Sequence, residues 1–153
     1  MQVREIMSTD VVKAGPDTEV RELARLMVEK RIGCIPIEDA EGKLLGLVTE
    51  GDLVHQDARI HFPTFFHFLE SYIMLPGSFN RFEQDLKKAV GAEASEVMNL
   101  KPVKIPPDTD IEYVATLMVD HDVEYVLVVE GEKLAGIVTR TDILKAIAAG
   151  RAA

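Results

Sequence analysis

The chain states one pattern twice, and that repetition limits its folds more than any other feature. Ile6-Met7 returns as Val97-Met98, and Pro16-Asp17-Thr18 returns as Pro107-Asp108-Thr109, each 91 positions on. Val20, Leu23, Ala24, Met27 and Val28 recur at the same step as Ile111, Val114, Ala115, Met118 and Val119. Gly46-Leu47-Val48-Thr49-Glu50-Gly51-Asp52 recurs as Gly136-Ile137-Val138-Thr139-Arg140-Thr141-Asp142, now 90 apart, so one residue has been lost from a turn. A repeat matched in both spacing and side-chain type is one supersecondary unit used twice. Two such units can pack about a pseudo-twofold axis, with paired clefts between them.

Within the first copy, Thr9 to Lys13 is a short β-prone stretch ended by Gly15-Pro16. Asp17 or Thr18 is placed to cap a helix, because a short side-chain oxygen can accept the unpaired N–H groups of a first turn. Val20, Leu23, Ala24, Met27 and Val28 follow the spacing of one helix face, Ile32 extends the stripe, and Gly33 suits a left-handed stop. Cys34 to Ile37 reads as a buried strand, Glu38 to Lys43 as a polar turn containing Gly42, and Leu44 to Val48 as the second strand of a hairpin. Thr49 then caps another helix. The order β-α-β-β-α is reached independently in the second copy, which makes the fold class α+β.

Composition narrows the function classes. At 153 residues and 47% apolar composition, the chain is sized for one compact domain or two fused halves. No apolar run approaches the roughly 18 residues of a membrane helix, and the N-terminus has no signal-peptide core. The lone cysteine, Cys34, has no internal disulfide partner, which fits a reducing cytoplasm. A net charge of −9 without a basic stripe argues against nucleic acid. No P-loop, nucleophile elbow or His-Glu-x-x-His occurs, so the expectation is a non-catalytic protein.

These residues resemble the cystathionine-β-synthase (CBS) domain family, which occurs as tandem pairs. The resemblance rests on the Ile6-Met7 and Val97-Met98 openings and on the Pro-Asp-Thr helix starts with their apolar stripes. Gly33-Cys34-Ile35-Pro36-Ile37 and the closing Gly-(Leu/Ile)-Val-Thr-x-x-Asp complete it. It covers about 120 residues, all but the stretch from about His55 to Ala92. No single element is specific; all of them in order, twice, are. The resemblance implies two CBS repeats packed as one module, over 1–58 and 93–153, with an inserted segment at 59–92. It also implies a free-standing regulatory dimer whose inter-repeat clefts bind AMP, ADP, ATP or S-adenosylmethionine, acting on a separate protein partner or serving as a nucleotide reservoir. No cofactor is required, although Mg²⁺ is compatible with a polyphosphate.

The chemistry of the two Thr-x-x-Asp pairs agrees with that. Thr49 with Asp52, and Thr139 with Asp142, place a hydroxyl and a carboxylate in one first turn. A carboxylate accepts two hydrogen bonds at once, which suits the adjacent hydroxyls of a ribose. A helix N-terminus favours phosphate, and a short strand offers an adenine ring an apolar slot. The competing reading is that both pairs are only helix caps, and that the chain is a structural or protein-interaction module with degenerate clefts, acting through its aromatic insert and dimer interface. The expected ligand-facing residues are Val11, Gly33, Cys34, Ile35, Pro36, Thr49, Glu50 and Asp52 in the first cleft. In the second they are Val103, Glu124, Tyr125, Val126, Thr139, Arg140, Thr141 and Asp142. Arg140 can pair with a phosphate that Glu50 would repel, so the second cleft is expected to take a phosphorylated nucleotide and the first a less anionic ligand, such as S-adenosylmethionine. Tyr125, where the family usually has a small residue, either stacks on adenine or fills the slot itself.

The insert stands outside the family pattern. Seven of the nine aromatic residues lie between Phe62 and Phe82, and Ser78 is placed to cap a helix carrying Phe79, Phe82, Leu86 and Val90 on one face. Either this segment packs over the module or a dimer seam, or it is a docking surface or lid; both readings imply a homodimer. His55, His61 and His67 point three ways on a helix, so no metal site is expected.

Overall fold

The structure, a computed structural model, describes residues 1–59 and 92–150, with side chains from Met1 to Val54 and from Ala92 onward. The aromatic insert, with its expected helix after Ser78, lies outside the described residues, as do His61, His67 and the His55 side chain.

The first repeat contains helix α1 (Val20–Lys30), strands β1 (Cys34–Glu38) and β2 (Leu44–Thr49), and helix α2 (Glu50–Arg59). A short helix, α3 (Ala94–Val97), leads into the second repeat. There β3 (Lys104–Ile105), α4 (Ile111–Asp120), β4 (Tyr125–Glu130), β5 (Lys133–Thr139) and α5 (Arg140–Ala148) follow. The α+β class is as the sequence implies; repeat 2 shows the full β-α-β-β-α order, and repeat 1 shows it without the first strand.

The chain divides into two compact units that do not coincide with the two repeats. One holds Met1–Lys13, Glu38–Gly46 and the chain from Leu100 on; the other holds Ala14–Ile37 and Leu47–Asn99. The segment leading into each repeat therefore belongs with the other. In the unit built on repeat 2, β3 runs parallel to β4, β4 antiparallel to β5, and Ser8 bridges to Ile137 on the far side. Its core is Val3, Ile105, Ile111, Val114, Met118, Val126, Val128, Val138, Ile143 and Ala146. In the unit built on repeat 1, Ala14 bridges in parallel to Ile37, β1 pairs with β2, and Asn99 bridges to Leu47. Leu23, Met27, Ile35, Ile37, Val48 and Ala94 are buried there.

The helix starts differ from the expected caps. Asp17 and Thr18 cap nothing; the N-cap of α1 is Glu19, whose side chain makes no capping bond. The unpaired Val20 N–H is instead donated to the Ala92 carbonyl at 2.8 Å, and at α4 the Ile111 N–H goes to the Met1 carbonyl at 3.1 Å. The bond is returned: the Ala94 N–H donates to the Thr18 carbonyl and the Val3 N–H to the Thr109 carbonyl, both at 2.8 Å. Each helix start is thus closed by backbone from the segment preceding the other repeat, which satisfies the same orphan donors that a side-chain cap would.

Three further expectations shift. The β-prone Thr9–Lys13 forms no strand; the pairing is reduced to Ala14, because one neighbouring strand supplies one bridge. The helix stop is Arg31, with φ 54°, and not Gly33; Asp122, with φ 50°, is its counterpart. The residue lost from a turn is lost in the hairpin. Repeat 1 turns through Asp39–Lys43, where Asp39 Oδ1 accepts from the Glu41 and Lys43 N–H groups. Repeat 2 pairs Glu130 with Lys133 around Gly131 (φ 64°) and takes up the difference in an irregularity between Val128 and Val129.

The crossing of Met7-Ser8 over β5 requires a glycine. A Cβ at Gly136 would stand 2.8 Å from both Met7 Sδ and the Ser8 carbonyl oxygen. Gly136→Ala should therefore destabilise the protein by about 1–3 kcal/mol in chemical denaturation. Met7→Ala should not restore the loss, because the Ser8 obstruction is backbone.

Candidate functional site

The strand-to-helix junction of each repeat brings some of the expected residues together and leaves others apart. In repeat 1 the Glu50 N–H, first in α2, donates to the Gly33 carbonyl at 2.9 Å. Gly33 and Cys34, at the start of β1, thereby stand against Thr49, at the end of β2. In repeat 2 the Arg140 N–H donates to the Glu124 carbonyl at 3.3 Å, and Tyr125 pairs with Thr139 in the antiparallel register. Val103 lies on the other edge of β4, its carbonyl accepting from the Leu127 N–H at 2.9 Å. Val11 is half-buried and falls in the unit built on repeat 2, whereas Gly33, Thr49 and Asp52 fall in the other.

Both Thr-x-x-Asp pairs close as capping boxes. The Thr49 N–H donates to Asp52 Oδ2 at 2.9 Å, and the Asp52 N–H returns to Thr49 Oγ1 at 3.3 Å. Thr139 and Asp142 repeat this at 2.9 and 3.2 Å, with Thr139 Oγ1 also 3.1 Å from Asp142 Oδ2. The box satisfies two helix donors and is worth about 1 kcal/mol. It also fixes the carboxylate through Oδ2. A carboxylate has about four lone-pair sites, so Oδ1 keeps its accepting capacity. Capping and ligand binding are compatible, with the first orienting the group for the second.

The first residue of each helix carries the electrostatic difference. Glu50 is exposed at the N-terminus of α2, where a negative charge is favoured by the helix dipole. Arg140 occupies the same place on α5, where a positive charge is opposed, and its Nη2 lies 3.7 Å from Asp122 Oδ1. Its side chain is 49% exposed and that of Asp122 fully exposed, so this contact contributes little. Local helix chemistry thus gives no reason for Arg140. The half-buried Tyr125 stands at the start of β4 beside this junction.

Cys34 is buried and reads as a structural thiol. Burial pushes its pKa up to about 12, with the nearby Glu50 carboxylate adding to the rise. The protein should therefore resist iodoacetamide at pH 8 and be alkylated readily in denaturant. The sign of the linkage follows: the neutral thiol is favoured in the fold, so its stabilising effect holds below about pH 9 and is lost as pH rises toward 12. Fast labelling of the native protein at pH 8 would contradict this.

No helix among the described residues is long and apolar enough to cross a membrane. An uncharacterised protein of Methanocaldococcus jannaschii is 29% identical over 96% of this chain and 91% of its own length. Among solved structures, the CBS domain pair of protein MJ0100, in complex with 5′-methylthioadenosine and S-adenosyl-L-methionine, gives a TM-score of 0.73 at 21% identity over 98% of each chain. CBSX2, in complex with AMP and known from Arabidopsis thaliana, gives 0.72 at 24% identity over 98% of each chain. At these identities the two structures establish the shared fold. The CBS domain pattern matches residues 3–59 and 94–149, most of the chain. The chain belongs to the CBS domain family and carries its repeat twice.

Proposed function

We propose that this protein is a non-catalytic regulatory module that binds adenosine-containing ligands at the strand-to-helix junctions of its two repeats. The observation that carries the reading is the pair of capping boxes, each holding a carboxylate by one oxygen beside a helix N-terminus and the opening of a strand. That geometry suits a ribose diol on the carboxylate, a phosphate at the helix start and an adenine ring against the strand backbone. Support by likeness comes from MJ0100 and CBSX2, whose structures hold 5′-methylthioadenosine, S-adenosyl-L-methionine and AMP.

The junctions differ in preference. Arg140, placed against the helix dipole, suits the repeat 2 junction to a phosphorylated nucleotide, with Tyr125 stacking on the base. Glu50 suits the repeat 1 junction to an uncharged or cationic adenosine derivative such as S-adenosylmethionine. Polyphosphates approach a chain of net charge −9 and gain from Mg²⁺. Val103 and Thr141 join the repeat 2 set; the side chains of Ile35, Pro36 and Val126 are fully buried, so these three offer a ligand backbone groups alone, and Val11, which falls in the other unit, is left out of the repeat 1 set. The division into 1–58, 59–92 and 93–153 is part of the same proposal, as are a homodimer and a separate protein partner that receives the signal.

The test is a thermal-shift panel of AMP, ADP, ATP with and without Mg²⁺, and S-adenosylmethionine. Ligand at 100 times its dissociation constant should stabilise the fold by about 2.7 kcal/mol. The discriminating variant is Asp52→Asn/Asp142→Asn. An amide oxygen still accepts the Thr49 and Thr139 N–H groups, so the caps survive, but paired acceptance of a diol is lost. Wild type should shift and this variant should not; no shift in wild type, or equal shifts in both, would contradict the assignment. Arg140→Ala should weaken AMP by roughly tenfold, the scale of one exposed charge-assisted contact, and leave S-adenosylmethionine unchanged.

A further inference from the structure

Among the described residues, two that are not glycine have left-handed backbone, Arg31 with φ 54° and Asp122 with φ 50°. They hold equivalent places, 91 apart, in the corner between the first helix of each repeat and the strand that follows. Each corner closes in the same way. The Ile32 N–H donates to the Met27 carbonyl at 3.1 Å, and the Val123 N–H to the Met118 carbonyl at 3.0 Å. One residue further on stand Gly33 and Glu124, whose carbonyls accept the first N–H of the next helix, from Glu50 and from Arg140. A duplicated backbone thus brings a corner residue close to a helix-start residue in both repeats.

Both of these residues reverse sign between the copies. Repeat 1 has Arg31 at the C-terminal end of α1 and Glu50 at the start of α2, each with the sign its helix dipole favours. Repeat 2 has Asp122 at the C-terminal end of α4 and Arg140 at the start of α5, each with the sign the dipole opposes. Two reversals against local preference, made together, keep the pair complementary: Arg140 Nη2 lies 3.7 Å from Asp122 Oδ1. Both side chains are exposed, so stability does not account for the pair. Its consequence is for what Arg140 can bind, because a guanidinium held by one carboxylate must leave it, or divide its donors, to take a phosphate.

We infer that Asp122 is a specificity-determining residue of the repeat 2 junction, a competitor within the chain that holds Arg140 and sets how strongly an anionic ligand must bind to displace it. The inference deepens the assignment of that junction to a phosphorylated nucleotide and rests on it. The competitor discriminates by charge. A phosphate ester of nearly two negative charges displaces the single carboxylate, whereas a ligand carboxylate gains little by replacing one carboxylate with another.

The test is calorimetric titration with AMP, without Mg²⁺, of full-length protein in an Asp52→Asn background, in which the repeat 1 junction is disabled. Asp122→Asn removes the competing charge and keeps a side chain that tolerates left-handed backbone; it should tighten AMP binding roughly threefold. Asp122→Arg, which gives the corner the residue that repeat 1 carries there, should tighten it further. Asp122→Asn should have no effect in an Arg140→Ala chain, and the exposed Asp120, changed to Asn as a control for overall charge, should leave AMP binding as it was. Unchanged or weaker binding by Asp122→Asn, a gain matched by Asp120→Asn, or a gain that survives Arg140→Ala overturns the inference. A different result, no AMP binding by the Asp52→Asn protein, overturns the junction assignment on which the inference rests.

Discussion

The fold depends on an exchange of backbone hydrogen bonds between each helix start and the segment that leads into the other repeat. Val20 donates to Ala92 and Ile111 donates to Met1, while Ala94 donates to Thr18 and Val3 donates to Thr109. Ser95 to Pro16 and Arg4 to Pro107 complete the set at 3.0 and 3.1 Å. At a net 0.5–1.5 kcal/mol each, the six bonds together supply several kcal/mol, a large share of a typical folding free energy. They also mean that neither repeat owns its parts. Removing residues before Ser8 would uncap α4 and take Val3 from the core around Val114 and Val126, although those residues open repeat 1 in sequence.

That exchange fixes what the candidate sites can be. Ser8 holds Ile137 through reciprocal backbone bonds, and Asn99 holds Leu47 in the same way, so the last strand of each repeat is gripped close to the point where it becomes a helix. Thr49 and Thr139 follow within two residues. Their capping boxes then orient Asp52 and Asp142 without help from a ligand, which is the rigidity a binding group needs if affinity is not to be spent on ordering. The two junctions share a backbone pattern and differ in charge, with Glu50 answered by Arg140 and Gly33 by Glu124.

Much of this was legible in the sequence, and the reasons for the exceptions are physical. The repeat, the hairpins and the Thr-x-x-Asp caps are local patterns, set by period and turn chemistry within a few residues. The capping of α1 and α4 is not local: the groups that satisfy Val20 and Ile111 lie far along the chain, so the nearby Asp17 and Thr18 fit the cap pattern without being the caps. The stop at Arg31 was hidden because glycine is the usual left-handed residue, while Gly33 two positions on serves the Glu50 N–H instead. Matching residues at the 91-residue step, Met1 with Ala92 and Val3 with Ala94, was the available signal for the exchange. Val28 and Val119 fall on the apolar stripe of their helices, but α1 and α4 bury only part of that face, and these two valines remain outside.

The central claim is that the two strand-to-helix junctions are the ligand-binding surface. The most direct measurement is an NMR titration of uniformly ¹⁵N-labelled protein with AMP and, separately, with S-adenosylmethionine. The account predicts saturable shifts concentrated in the amides of Gly33–Ile35 and Thr49–Leu53, and of Glu124–Val126 and Thr139–Ile143, with AMP favouring the second group. Saturable shifts that leave both groups unmoved and gather elsewhere, or no shifts at millimolar ligand, would contradict it.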